Sequence, residues 1–259
     1  MSKINVDTWE PESGTAATLM ASGDTVTVPS GASLVVASGA TINITGATQT
    51  GFPSSGFTSQ QFITSGNWTR PADITKVMVE VQGAGAGGGH SASSASGGIS
   101  GGGGAGGYVR KIIDVSSISS STLTIGAGGG DGADGGATIW NDGTHTLTGT
   151  GGIKGENASS AGTRNGGLGG VPTASGGSGT DLKITGQSGI SGYAGGSPSG
   201  GDSTLGLGGH FRLNTTGLVG GGSTVATGYG GGGCGSYNDG SATAGGSGSG
   251  GIVVVWEYK

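Results

Sequence analysis

Glycine fills 67 of the 259 positions of this chain, and it comes in bursts rather than evenly. The bursts fall at 83–89, 97–107, 126–136, 149–155, 162–170, 176–179, 195–201, 206–209, 217–222, 228–235 and 245–251. That is about a quarter of the chain, where about 7% is usual. Between residues 83 and 250 large apolar side chains are few, so an ordinary core cannot form there. Overall only 31% of residues are hydrophobic. Either this region is loose, or backbone packs on backbone.

Two familiar glycine-rich solutions fail. Collagen requires glycine at every third position and abundant proline. The runs 101–107 and 230–235 break that period, and there are 6 prolines. Disorder combines low hydrophobicity with high charge and much proline, whereas only 10% of residues here are charged. Glycine does allow backbones to approach closely. A polyproline II segment has three residues per turn and makes no internal hydrogen bonds, so its N–H and C=O groups all point outward. Several such segments side by side can bond to one another if glycines face inward. Each bond contributes about 0.5–1.5 kcal/mol net. The bursts are therefore expected to form a polyproline II-like bundle.

Strand signals surround this zone. Phe57–Thr64, Gly66–Pro71 and Lys76–Gln82 precede it, the last with Val77, Val79 and Val81 on one face. Tyr108–Val115 and Leu123–Ile125 interrupt it, and Ile252–Tyr258 closes it. The closing run is apolar on both faces, which places it centrally in a sheet. The expected fold is mainly β with essentially no helix. It comprises a short N-terminal β-repeat stem and a β-sandwich (57–82 with 105–125 and 250–259) framing a glycine-rich insertion over 83–250 that forms the binding region.

The stem is read from residues 22–45, three eight-residue blocks that each open with Ser-Gly, a turn signal. Val26/Val28, Leu34/Val36 and Ile42/Ile44 alternate on one face, so each block is a short rung. Burying six aliphatic side chains yields about 1.5–3 kcal/mol each, while fixing about 24 residues costs roughly 1–2 kcal/mol apiece. Partner copies that contribute the same stripe close this gap, and a homotrimer over 21–56 is expected. The alternative is that the rungs add to the chain's own later sheet. Residues 1–20, with Trp9, are too few to fold alone. They are either a disordered tail or an attachment segment that orders on a partner.

Several residues carry a resemblance. Phe62–Ala72 followed by Val77–Gly89, the run Gly101–Tyr108, Thr124–Gly129 and the closing Gly250–Tyr258 together resemble the glycine-rich domain of bacteriophage tail fibres. The Ser-Gly repeats are similar to those near the start of small phage fibres. The resemblance implies a virion protein of the tail, trimeric and made in the host cytoplasm. Residues 1–20 would dock to the tail or to an adaptor protein. Loops at one end would bind a host surface polysaccharide or outer-membrane component. The spacers here are shorter and poorer in aromatics than the family pattern.

Enzymatic readings are weak. Glycan cleavage needs paired carboxylates. The acids Asp131, Asp134, Asp142, Glu156, Asp181, Asp202 and Asp239 mostly lie in glycine-rich turns, where Asp is routine. Asp131 and Asp134 fall short of the six to eight oxygens calcium takes. His90, His145 and His210 lack metal-ligand spacing, and Cys234 has no neighbouring base to activate it. No phosphate-loop motif occurs. No catalytic residue, metal or cofactor is expected. The net charge of −5 and the absence of Lys/Arg clusters argue against nucleic acid. Met1–Asp7 lacks the apolar stretch of a signal peptide.

Recognition remains. Aromatic side chains flanked by polar groups grip glycans and protein epitopes. His210, Phe211 and Arg212 with Asn214 lead the candidates, followed by Tyr193, Tyr229, Tyr237 and Asn238, and by Trp140 beside Asn141 and Asp142. For Phe211 the competing reading is a plug at the edge of a glycine layer.

Overall fold

The computed structural model describes residues 57–258 apart from 93, 95, 96, 177–180, 193–195, 211, 214–223 and 239. The expected stem and attachment residues (Trp9, Val26, Val28, Leu34, Val36, Ile42 and Ile44) lie outside the described residues.

Every described element is a strand. In chain order they are β1 (Phe57–Phe62), β2 (Gly66–Thr69), β3 (Lys76–Gln82), β4 (Gly98–Ile99), β5 (Tyr108–Asp114), β6 (Ser120–Thr124), β7 (Thr138–Asn141) and β8 (Thr146–Gly149). The remainder are β9 (Gly162–Thr163), β10 (Thr173–Ser175), β11 (Leu182–Ile184), β12 (Gly196–Ser197), β13 (Leu205–Leu207), β14 (Arg212–Leu213), β15 (Thr227–Tyr229) and β16 (Ile252–Tyr258). Two antiparallel five-stranded sheets form a sandwich, ordered β1-β16-β3-β5-β11 and β10-β8-β7-β6-β2.

Alternation along the strands builds the core. Val77, Val79 and Val81 of β3, Val109 and Ile113 of β5, and Val253 and Val255 of β16 turn inward from the first sheet. Trp68, Leu123, Trp140 and Leu147 meet them from the second. β16 is buried on both faces and lies between β1 and β3, as its continuous apolar run requires. Trp140 is therefore not a recognition residue: it is fully buried, with its ring centroid 5.3 Å from that of Trp68. The second sheet also takes β7, β8 and β10 from within the 83–250 stretch that reads as insertion. Their three or four residues are too short to show a period against glycine on either side.

Two charged residues sit on the core face of the first sheet, Glu257 of β16 and Lys111 of β5. Lys111 follows Val109 and precedes Ile113 at the two-residue spacing, and it is almost fully buried. Its Nζ lies 2.9 Å from Oδ1 of Asp181, just before β11. Removing one member of a buried pair strands the other, whereas replacing both members together by apolar groups is tolerated. Read from urea unfolding midpoints, Asp181→Ala is expected to lower stability by about 2–4 kcal/mol and Lys111→Met by less, because Asp181 is partly exposed and keeps Lys183 Nζ 3.7 Å from its Oδ2.

At one end of the sandwich the strands run on into the glycine region without a break. Gln82 of β3 leads into 83–91, Tyr108 of β5 follows 100–107, and Ile252 of β16 follows 243–251. The segment 83–91 shows what replaces a core. The N–H groups of Gly83, Ala86 and Gly89 donate to the carbonyls of Gly107, Gly104 and Gly101, at 2.8–2.9 Å. Those of Ala84 and Gly87 go to Gly136 and Ala133, and those of Gly85, Gly88 and Ser91 to Ser249, Gly246 and Thr243. Every third residue faces the same neighbour, which is the three-per-turn geometry of polyproline II. Its carbonyls repeat the pattern. Gly85 and Gly88 accept from Gly129 and Gly132, Ala84 and Gly87 from Gly152 and Gly155, and Ala86 and Gly89 from Gly233 and Ser236.

Segment 83–91 is thus the centre of a ring of six others. Segment 100–107 is a second centre. It donates to 150–156, 187–190 and 230–236, and accepts from 83–89, 167–170 and Gly201. At most of these glycines such packing leaves no space for a Cβ atom. A Cβ on Gly85 would lie 1.8 Å from the Gly231 oxygen, and one on Gly101 1.8 Å from the Asn165 oxygen. Around these two segments the described part of the insertion is a polyproline II-like array whose buried backbone groups bond to one another.

Candidate binding site at the distal end of the array

The array has two ends. The end at Gly83, Gly107 and Gly251 is fused to the sandwich. The other is reached about 25 Å further on, at the polyproline II rise of about 3.1 Å per residue. The described residues there are 90–92, 94, 97–99, 131–133, 157–164, 237, 238 and 240–244.

Serine hydroxyls close this distal end. Ser91 Oγ lies 2.9 Å and Ser100 Oγ 3.0 Å from Ser236 Oγ, and all three residues are buried. Ser100 Oγ also donates to the Gly89 carbonyl, and Ser236 Oγ to the same oxygen at 3.1 Å. The hydroxyls add side-chain bonds to a backbone pattern that runs on through Ser91, Ser100 and Ser236.

One residue before Ser91, the side chain of His90 reaches the surface where the 126–136 arm turns back. Residues 83–89 are all buried, and His90 is the first exposed residue after them. Its N–H donates to Asn157 Oδ1 at 3.1 Å. Its Nδ1 stands 3.8 Å from Oδ1 of Asp131. Asp131 is placed by the turn that reverses 126–136, and its Oδ1 accepts the Gly245 N–H at 2.9 Å. Gly132 holds that turn in the left-handed region at φ 60°. Together His90, Ala92, Asp131 and the Ala242–Ala244 strip line a cleft of about 590 Å3.

The sequence-predicted recognition residues are dispersed. Tyr237 and Asn238 reach the distal end, where Tyr237 bridges to Ile99. Asn238 is fully buried, and its side chain holds the loops: Nδ2 donates to the Ala92 carbonyl, and Oδ1 accepts the Gly240 N–H at 2.6 Å. It organises the end rather than presenting a contact. Tyr229 lies in β15 at the sandwich end, since Gly230 donates to Gly250 and accepts from Gly106. His210 is exposed beside a second cleft lined by Gln187, Ile190, Asp202 and Leu207, and its carbonyl accepts from Thr224 Oγ1 at 2.7 Å. Arg212 is described by backbone alone, paired with Ser197. Phe211, Asn214 and Tyr193 lie outside the described residues.

The carboxylates serve the backbone. Asp134 accepts from Lys154 N at 2.8 Å, Asp202 from Gly208 N at 2.7 Å and Glu156 from Asn165 N at 3.1 Å. Asp142 caps the β7–β8 turn by accepting from Thr144 N and His145 N. Asp239 lies outside the described residues. Among the described residues, no three His, Cys, Asp or Glu side chains converge to hold a metal ion. Cys234 is fully buried in the array, and its sulfur accepts the Thr224 N–H. On the outer face of the first sheet, burial first and then the hydrogen bond to Glu80 push the Tyr108 hydroxyl well above its ordinary range.

The profile of one protein family, described as a glycine-rich domain, matches residues 57–258. The chain belongs to the glycine-rich domain family. The match starts at the first residue of β1 and ends at the last of β16, so the glycine-rich domain comprises sandwich and array together. No curated protein matches the chain. His90, the one large polar side chain between Gly83 and Gly107, was not singled out as a binding residue from sequence. Its signal is its isolation: it stands alone among glycine, alanine, serine and one isoleucine.

Proposed function

We propose that this chain is a bacteriophage tail-fibre subunit, held in the virion through its N-terminal segment and recognising a host surface receptor with the distal end of its glycine-rich domain. One observation carries the reading. The domain is polar end to end. The chain enters at Phe57, whose register partner is Tyr258, at the sandwich end farthest from the array. The irregular loops lie at the opposite end. Attachment and recognition then act on opposite ends of a rigid body, as adhesion at a fibre tip requires. Between the ends the array's backbone groups are spent on one another, which leaves the loops as the place for adaptable contacts.

The homotrimer belongs to this proposal, as do docking of residues 1–20 to the tail or an adaptor and a glycan or outer-membrane component as receptor. The described carboxylates of the array act as turn caps and pair partners, which favours binding over glycan cleavage. Full-length protein is expected to sediment at about 73 kDa, three times 24.3 kDa, and to bind host cells saturably in flow cytometry. Folded trimer that binds no host cell would overturn the receptor role and leave a structural virion decoration.

A further inference from the structure

We infer that the cleft at the head of the central segment is a subsite for one neutral hexose unit, with His90 and Asp131 as its polar wall. This inference rests on the receptor-binding reading and names the place and the ligand class.

The placement comes from the array. Segment 83–91 is ringed by six others, and one of its residues comes to the surface where the 126–136 arm turns back at Asp131, while Ser91 after it is still buried. That residue is His90, in a field of alanine, serine and threonine. Its backbone is fixed on both sides. Its N–H is held by Asn157, its carbonyl accepts from Ala158 N at 2.9 Å, and Ser91 exchanges both backbone bonds with Thr243 at 2.9 Å. Asp131 is fixed by the Gly245 N–H on Oδ1. Among the described residues its other oxygen accepts no hydrogen bond. Rigid backbone beneath two exposed polar groups is the preorganisation that a weakly binding, hydroxyl-rich ligand needs.

The chemistry of the lining selects the ligand. Ala92, Ala242, Thr243 and Ala244 supply methyl groups for the C–H face of a pyranose ring, while an imidazole and a carboxylate 3.8 Å apart can bridge adjacent hydroxyls. Apolar lining with a few placed polar groups is the usual make-up of a small-ligand site, and a volume of about 590 Å3 lies within the usual range. No Lys or Arg is among the lining residues. An anionic sugar would meet the Asp131 carboxylate with no fixed cation to offset it, so the site selects neutral units.

Saturation-transfer NMR on the full-length protein tests this. Methyl α-mannoside, methyl α-galactoside and methyl β-N-acetylglucosaminide serve as neutral probes, and N-acetylneuraminic acid as the anionic one. At least one neutral sugar is expected to receive saturation, with a Kd on the order of 1–10 mM. His90→Ala and Asp131→Asn should each weaken that signal at least about fivefold, a loss of about 1 kcal/mol. Asn at 131 keeps an oxygen for the Gly245 N–H, so an unchanged melting temperature separates lost binding from lost fold. No transfer to any neutral sugar, equal transfer in both variants, or preference for the anion would overturn the subsite. So would host-cell binding that survives periodate oxidation of the cells but not protease treatment, which would identify a protein receptor. Cell binding unaffected by both variants would remove the subsite and leave the receptor role standing. Loss of cell binding in wild type with intact sugar transfer would do the reverse.

Discussion

Gly87→Val is expected to abolish the folded glycine array, at a cost above about 4 kcal/mol. A Cβ at this position would lie 1.7 Å from the oxygen and 2.6 Å from the carbonyl carbon of Gly130. Both are main-chain atoms, so no rotamer change relieves the clash. Segment 83–91 or 126–136 must move, and each is tied to several others by hydrogen bonds at nearly every residue. Displacement breaks bonds worth about 0.5–1.5 kcal/mol apiece when formed, and each buried group left unpaired costs about 1–3 kcal/mol. The control lies across the same contact. A Cβ on Gly130 would meet nothing within 4 Å. Gly130→Ala should be neutral or add up to about 1 kcal/mol, because alanine narrows the unfolded ensemble. Thermal unfolding followed by circular dichroism compares the two. Similar melting temperatures for Gly87→Val and wild type would show that backbone contact is not what excludes side chains here.

Trp68→Ala is expected to cost about 3–5 kcal/mol, the range for deleting a large buried aromatic. Trp68 is fully buried against Trp140, and few other large side chains fill the sandwich. The indole also has a polar task. Its Nε1 donates to Oε1 of Glu257 at 2.8 Å, a carboxylate on the core face of β16. Gln60 Nε2 donates to the same oxygen at 2.7 Å and Thr58 Oγ1 to the other at 2.8 Å. Three neutral donors satisfy a buried charge and tie β1, β2 and β16 together. Trp68→Phe keeps most of the apolar area and removes one donor. Its expected cost is about 1–3 kcal/mol, as for one hydrogen bond to a charged group. The difference between the two variants in urea unfolding then measures packing apart from the hydrogen bond. Equal losses would mean that the indole N–H carries the whole contribution.

The sandwich was legible wherever strands were long enough to alternate. Val77, Val79 and Val81 declare a face by their spacing, and Ile252–Val255 declares burial on both faces by continuity. The short strands β7, β8, β10 and β11 hold three or four residues each, which is too little to set a period. Trp140 accordingly read as a surface aromatic, although its depth comes from packing against Trp68 and the strands β3 and β16, which are far from it in the chain. The site was less legible still. Tyr229 and Tyr237 are eight residues apart and alike in sequence. An extended rise of about 3.1 Å per residue carries them to opposite ends of the array.

From sequence alone came the class of solution. With so much glycine and so few large apolar groups, backbone had to pack on backbone, and polyproline II geometry with its outward donors and acceptors answers that requirement. Which segment bonds to which was decided only in three dimensions. Glycine bursts are interchangeable to the eye, because a residue without a side chain carries no partner preference. Register is instead set by the strands that feed the array and by the loops that end it. Those same contacts make 83–91 the central segment and bring the His90 side chain to the surface beside Asp131.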